Sequence, residues 1–348
     1  MKVADFSFEL PPELVAQFPP GERGASRLLV LDRRTGRIAH AAIRDIARYL
    51  APGDLMVFND TRVFPARLLG EREPGGGAVE VMLVSRLDDD RWEALVHPGQ
   101  RMRTGRRVRF ERGGRTLHGE VAGERFFGRR VMRFWTSDAG TVTDAIEAIG
   151  HIPLPPYIKR PDLELDRDRY QTVFARESGS IAAPTAGLHF TDAILRSLDA
   201  AGVERTTITL HVGYGTFKPV RTDEVEAHTV DPERYAIGDD AASRINAALD
   251  AGRRIVAVGT TTTRALESAA RAGDGRVPSG SAVASLFIRP GHAFLAAGGL
   301  LTNFHLPASS LLMLVAAFAG RETVLGAYRE AVAERYRFYS YGDAMLVV

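Results

Sequence analysis

Two textures of hydrophobic patterning alternate along this chain. LLVLD (28–32) and LMVFN (55–59) are short unbroken apolar runs that predict buried strands, and 43–50 between them has helical spacing stopped by Ala51-Pro52-Gly53-Asp54. From about Val63 to Trp135 the runs shorten and alternate. VEVMLV (79–84), WEALVH (92–97), RRVRF (106–110), LHGEV (117–121) and RRVMRFW (129–135) are separated by turns rich in Gly and Asp. Short strands at that spacing predict a small antiparallel barrel. Past Thr141 mixed patterning returns. Helices are predicted over 141–149, 191–200, 240–251, from 264, over 309–319 and over 322–335, with strands at 206–211, 254–258 and 284–289. The prolines of HIPLPPYIKRPD (151–162) make that stretch an extended connector, and GDGRVPSGS (273–281) reads as flexible. The fold class is therefore α/β (α+β): a discontinuous mixed main domain, 1–62 and 141–348, carrying an inserted antiparallel β-barrel at 63–140.

Composition narrows the chemistry. The chain has 348 residues, 45% hydrophobic and 25% charged, which is ordinary for a packed globular protein. The N-terminal stretch has early acidic residues and no apolar segment of the kind a secretory signal needs, and the longest apolar run, 311–319, is too short to span a bilayer. The expectation is a soluble, cytoplasmic monomer with no membrane partner. No cysteine is present, which excludes disulfides, a thiol nucleophile, thiolate zinc sites and cysteine-ligated iron–sulfur clusters. The nine histidines show no metal-ligand spacing, so no metal is expected. Net charge is only +2, yet Arg101 to Arg133 holds eleven Arg against three Glu. That density fits either a solvated surface or a face that tracks nucleic-acid phosphates.

Several polar, glycine-rich segments fall at strand ends, where α/β proteins bind ligands. VFNDTRVFPARL (57–68) offers Asn59, Asp60 and Arg62. SIAAPTAGLHFT (180–191) offers Thr185, Gly187 and His189. LHVGYGTFKPV (210–220) sets Gly213 and Gly215 beside His211. AVGTTTTRALE (257–267) runs a strand into Thr260, Thr261 and Arg264 at a helix start, a place suited to an anion. It has neither the Walker A lysine nor a GxGxxG pattern. TNFHLPAS (302–309) presents Asn303 and His305, and YRFYSYGDAM (336–345) closes the set with Tyr341 and Asp343. Singly each reads equally well as turn chemistry or as a satisfied polar core residue; the apolar run 311–315 reads as core.

Together, and in this order, these segments resemble the S-adenosylmethionine:tRNA ribosyltransferase-isomerase family of queuosine biosynthesis. DFSFELPPELVAQFP, SRLLVLDR, FNDTRVFPARL, ALVHPG, GHIPLPPYIKR, RYQTVFA, GSIAAPTAGLHFT, ITLHVGYGTFKPV, AVGTTTTRALE, LTNFHLP and YGDAM carry the resemblance, from Asp5 to Asp343. It implies an α/β domain with an inserted barrel. It also implies transfer and isomerisation of the ribosyl group of S-adenosylmethionine onto 7-aminomethyl-7-deazaguanine at the wobble position of tRNA, with release of adenine and methionine. The donor is then a consumed co-substrate, and no cofactor is needed. Two departures stand out. HTVDPERY keeps His228, Glu233 and Tyr235 but has Val230 and Asp231 where the family usually carries a Met and a second His, and Gly298 stands where an Asp is common.

The chemistry of such a transfer asks for particular groups. A sulfonium acidifies the protons on the adjacent 5′ carbon, so a base of moderate strength suffices; adenine leaves more readily when hydrogen-bonded by an acid; the attacking amine must be neutral. His189, His211, Glu233, His305 and Asp343 are the expected acid–base groups. Asn59, Asp60, Arg62, Thr185, Gly187, Gly213, Gly215, Thr260, Thr261, Arg264, Asn303 and Tyr341 are expected to bind donor and base, and Arg101, Arg103, Arg106, Arg107 and Arg109 to meet the tRNA. The rivals are an S-adenosylmethionine-dependent RNA methyltransferase, which would need a Gly-rich loop after its first strand, and a non-catalytic RNA-binding protein, which would not need the polar segments between 180 and 343.

Overall fold

The computed structural model describes residues 1–348, apart from the side chains of Phe127 and Phe217. Its main domain is built on a nine-stranded mixed sheet. Across the sheet the strands run Gly280–Ala284, Glu233–Ile237, Glu204–Leu210, Leu55–Asn59, Ile255–Val258, Gly299–Asn303, Ala344–Val347, Arg27–Leu31 and Ile38–Ala42. The four in the middle, from Glu204–Leu210 to Gly299–Asn303, are mutually parallel. Their apolar side chains point both ways and are buried on both faces, as parallel strands covered by helices must be. On one face lie the helices Asp239–Asp250, Thr260–Ala272, Ser310–Ala319 and Arg321–Ala333, sharing a core with Val57, Ile208, Ala257 and Leu300. On the other, the helix Asp192–Ala200 and the 3₁₀ segment Ile43–Tyr49 cover Met56, Val256 and Leu346.

This arrangement aligns the carboxyl ends of four parallel strands along one edge. Leu210, Asn59, Val258 and Asn303 end there, and each is followed at once by one of the polar segments. Ala344–Val347 is antiparallel to Gly299–Asn303, and Arg27–Leu31 is parallel to Ala344–Val347. Both therefore start at the same edge, which brings Asp343 and Ser26 to it.

The insert is a closed six-stranded antiparallel barrel of Arg67–Glu73, Ala78–Arg86, Arg91–His97, Arg107–Arg112, Arg115–Glu124 and Arg129–Trp135. Val81, Leu83, Val108, Phe110, Val121, Met132 and Phe134 fill its interior, and the alternate positions face outward. Its core reaches beyond residue 140: Ala145, Ile146 and Ile149 of the helix Val142–Ile149 pack into it with Phe64. Arg67 and His151 exchange backbone hydrogen bonds of 3.2 and 2.8 Å where the chain enters and leaves.

One expected strand lies elsewhere. The stretch 284–289 is not a strand past Ala284; the edge strand is Gly280–Ala284, within and just after the stretch read as flexible. Arg264 supplies a physical reason, since its guanidinium donates to the carbonyls of Ala284 (3.2 Å) and Leu286 (3.2 Å) in place of further strand pairing. The helix expected from 264 starts at Thr260, taking in the four threonines, because Gly259 at φ +97° makes the sharp exit from the strand that places the helix start there.

Candidate active site

A cleft lies at the carboxyl edge of the parallel strands, the place where α/β sheets bind ligands. Of the expected residues, Thr185, Thr260, Thr261, Asn303 and His305 line it. So do Tyr157, Tyr170, Phe304, Thr216, Tyr339 and Ser340, which together offer aromatic faces and hydroxyls.

Threonines divide by task. Thr262 and Thr263 turn their hydroxyls back to the carbonyls of Val258 (2.7 Å) and Gly259 (3.0 Å), whereas Thr260 and Thr261 border the cleft at the helix N-terminus. Free backbone N–H groups and the positive end of the helix dipole favour an anion there.

His189 ends the turn Thr185–His189 and is buried. Its Nδ1 lies 2.8 Å from Ser26 Oγ, and its Nε2 has no hydrogen-bond partner. Burial pulls its pKa down to about 4, with the neighbouring Asn303 opposing that pull. His305 is likewise buried, 2.8 Å by its Nε2 from Thr302 Oγ1, and burial takes its pKa down to about 3. Both imidazoles are neutral at pH 7. Among the described residues, two that line this cleft carry a buried polar atom without a protein partner, Tyr170 Oη and Asn303 Oδ1; Thr172 Oγ1 and His189 Nε2, outside its lining, are unpartnered too. Unpaired polar atoms are costly in a dry core and useful where a ligand supplies the missing bonds.

These two histidines make stability depend on acid. The unfolded chain takes up protons near pH 6.5, while the folded protein resists until about pH 4 and 3. Stability therefore falls as pH drops below about 6.5, approaching about 1.4 kcal/mol per pH unit for each histidine once the unfolded ones are charged. Urea midpoints measured from pH 7 to 4.5 should decline, and His305→Asn should flatten the decline. An equal slope in both proteins would refute the assignment.

His211 follows the strand Glu204–Leu210 and is half-buried. Its Nδ1 meets Thr61 Oγ1 at 2.9 Å, and Thr61 in turn meets Ser180 Oγ at 2.7 Å. Burial lowers its pKa as well. Asn59 bridges neighbouring strands through Leu210, donating to its carbonyl at 2.9 Å and accepting from its N–H at 3.0 Å. Asp60 pairs with Arg176 (2.6 Å) and Thr209 (2.7 Å), and the exposed Arg62 side chain has no partner among the described residues.

Other expected residues hold the site's frame. Glu233 accepts from Arg264 Nη1 at 2.6 Å and from the Gly213 N–H at 3.0 Å, both oxygens engaged and buried. Burial pushes its carboxyl pKa up, against the pull of Arg264. Arg264 also reaches the Asp231 carbonyl at 3.3 Å. Asp231, one of the departures, ion-pairs with Lys218 at 2.6 Å and lies against Gly215, where a Cβ would come within 2.6 Å of it. The 213–218 loop is thus fastened at both ends, with Thr216 on the cleft wall. Asp343 accepts the Arg27 and Arg337 backbone N–H groups at 2.9 and 2.8 Å, and burial raises its pKa. Tyr341 donates to Asp166 Oδ1 at 2.6 Å.

Sequence reasoning did not single out Asp166, Ser26, Tyr170 or Glu267. Asp166 is fully buried and gathers Arg160 (2.7 and 2.9 Å), the Leu163 N–H and Tyr341. Burial pushes its pKa up, but these donors outweigh that and hold it below the usual range. Glu267 accepts the N–H groups of Leu295, Ala296 and Ala297 and so shapes the loop ahead of Gly298. Glu267, Ser26 and Tyr170 lie inside the motifs TRALE, SRLLVLDR and RYQTVFA, which was the available signal.

Fold and site together define an α/β protein with a polar cleft at its parallel strand ends and an inserted arginine-rich barrel. The queuosine biosynthesis protein family model matches residues 3–347, and the chain belongs to that family. It is 52% identical over 348 residues to the S-adenosylmethionine:tRNA ribosyltransferase-isomerase of Symbiobacterium thermophilum and 49% identical to that of Heliobacterium modesticaldum, with full coverage of both chains in each case. Among solved structures it is similar to the S-adenosylmethionine tRNA ribosyltransferase of Thermotoga maritima, at 36% identity and a TM-score of 0.55, covering 99% of this chain and all of that one.

Proposed function

We propose that this chain transfers and isomerises the ribosyl group of S-adenosylmethionine onto tRNA, at 7-aminomethyl-7-deazaguanine in the wobble position, releasing adenine and methionine. The observation that carries the reading is the pair of partnerless polar atoms, Tyr170 Oη and Asn303 Oδ1, in a cleft whose walls are family motifs. The donor is consumed, and no cofactor takes part. The aromatic faces of Tyr157, Tyr170 and Tyr339 suit a sulfonium cation, and the helix start at Thr260 and Thr261 suits the methionine carboxylate. The neutral imidazole of His189, whose buried Nε2 has no protein partner, is the group assigned here to exchange a proton with a reacting atom, and His211 and His305 flank the same edge. The intermediates of this transfer need shielding from water.

Purified protein incubated with S-adenosylmethionine and an anticodon stem-loop bearing 7-aminomethyl-7-deazaguanine should give an epoxycyclopentanediol adduct and free adenine, read by mass spectrometry of the digested RNA. A methyl adduct instead would assign the chain to methyl transfer.

A further inference from the structure

The barrel's arginines fall into two sets. Arg107 pairs with Glu120 (3.0 Å), Arg109 with Glu111 (3.1 Å) and Glu73 (3.7 Å), and Arg129 with Glu93 (2.9 Å). Arg112 and Arg115 donate to the carbonyls of Gly150 and Ala139. These charges are engaged within the protein. By contrast, among the described residues the guanidinium groups of Arg101, Arg103, Arg106 and Arg125 are exposed and make no ion pair or hydrogen bond, and exposed Arg133 has only the Trp135 ring near it, at 5.9 Å.

The strand register gathers the first four at one end of the barrel and leaves Arg133, opposite Arg91, toward the other. The chain enters and leaves the barrel beside Arg67 and Trp135, while the 97–106 loop and the 124–130 hairpin lie at the opposite end, where Glu80 pairs with His97 and Arg129 with Leu95. Arg130 ties these two elements together, donating to the Met102 and Gly99 carbonyls at 3.1 and 3.3 Å. On the tip of the same hairpin, next to Arg125, Phe126 is 87% exposed. At about 3.3 Å per residue, seven-residue strands such as Arg67–Glu73, tilted as barrel strands are, set this end roughly 15 Å from the junction with the main domain.

We propose that this far end of the barrel is an RNA anchor, in which Arg101, Arg103, Arg106 and Arg125 meet backbone phosphates and Phe126 stacks on an unpaired nucleobase. The inference rests on the reading that RNA is the substrate. It replaces the run Arg101 to Arg109 with a different set, since Arg107 and Arg109 already have carboxylate partners. Four uncompensated guanidinium groups fit a polyanion, and a lone aromatic among them fits the flat face of a base. An anionic membrane fits less well, because one phenyl group on a hairpin buries little area and no amphipathic helix adjoins it.

The test uses the full chain, an unmodified tRNA transcript and a salt titration. Arg101→Glu combined with Arg125→Glu should weaken binding at least tenfold at about 0.1 M salt and make the slope of log K against log salt shallower by about 1.5. Phe126→Ala should weaken binding about tenfold with the slope kept, and Phe126→Trp should restore it. In turnover the loss should fall on KM for tRNA and leave KM for S-adenosylmethionine in place. Unchanged affinity and slope in both variants would overturn the proposal, as would a loss confined to phosphatidylserine vesicles. Binding is read without turnover, so a failure of the proposed reaction shows as absent product in the unsubstituted protein and is separable from a failure of the anchor.

Discussion

His189→Ala is expected to lower kcat by about 10²- to 10⁴-fold, the span associated with losing a positioned acid–base group. The imidazole is held in place on one side only: Nδ1 meets Ser26 Oγ at 2.8 Å, while Nε2 is buried, partnerless and beside Asn303. With burial holding the ring neutral at pH 7, it can donate or accept toward a bound substrate without first losing a proton to solvent. Substrate affinity should change far less than turnover, since Tyr157, Tyr170, Tyr339 and the Thr260 helix start are untouched. Single-turnover adenine release alongside calorimetric binding of S-adenosylmethionine separates the two effects. Equal losses in both would make His189 a binding residue, and unchanged turnover would remove it from the chemistry.

Glu233→Ala should have the largest effect on folding. It strands the Arg264 guanidinium in a site where that side chain and Glu233 are only 11% and 4% exposed, and removing one partner of such a pair costs about 3–5 kcal/mol. The loss propagates locally, because Glu233 also holds the Gly213 N–H and Arg264 holds the carbonyls of Asp231, Ala284 and Leu286. Urea unfolding should show the drop in midpoint. Glu233→Gln keeps an acceptor for one of the two donors and should lose less. Replacing Glu233 and Arg264 together by Gln and Met should recover part of the loss; if the double variant is as unstable as Glu233→Ala, the stranded charge is not the cause.

Much of this architecture is legible in the chain. The barrel announces itself through alternation at VEVMLV, WEALVH and RRVMRFW, because each strand has one buried face and one wet one. The central strands show as unbroken apolar runs for the opposite reason: both faces are covered. Glu233–Ile237 and Gly280–Ala284 were not legible. Gly280–Ala284 is the edge strand, and GSAVA is exposed at four of five positions, so hydrophobicity carries no signal there; Glu233–Ile237, paired on both sides, has a charged residue, Glu233, at one of its three buried positions, which breaks the apolar alternation. At the site, motifs located the strand-end residues, but motif membership does not distinguish a group that faces ligand from one that holds the frame. Asn59, Glu233, Asp343 and Tyr341 sit in segments like those of Thr260 and His189, yet their polar atoms are engaged by protein. Only partner geometry shows it. The basic count over 101–133 likewise could not foresee that Glu73 and Glu93, outside that window, take up two of its arginines.

The exchange of two backbone hydrogen bonds between Arg67 and His151 has a consequence for how the polypeptide organises itself. Chain entry and exit of the insertion sit side by side, and Gly150 admits Pro65 so closely that a Cβ there would fall 2.1 Å from its carbonyl oxygen. To the main sheet, the whole barrel with its capping helix is topologically a tight turn. Each body can assemble on its own local contacts, and the entropy of closing the loop is spent inside the barrel rather than in bringing Leu55–Asn59 alongside its later partners. The gene segment between those two crossings is accordingly a cassette, free to drift in sequence or length without disturbing the sheet that carries the cleft.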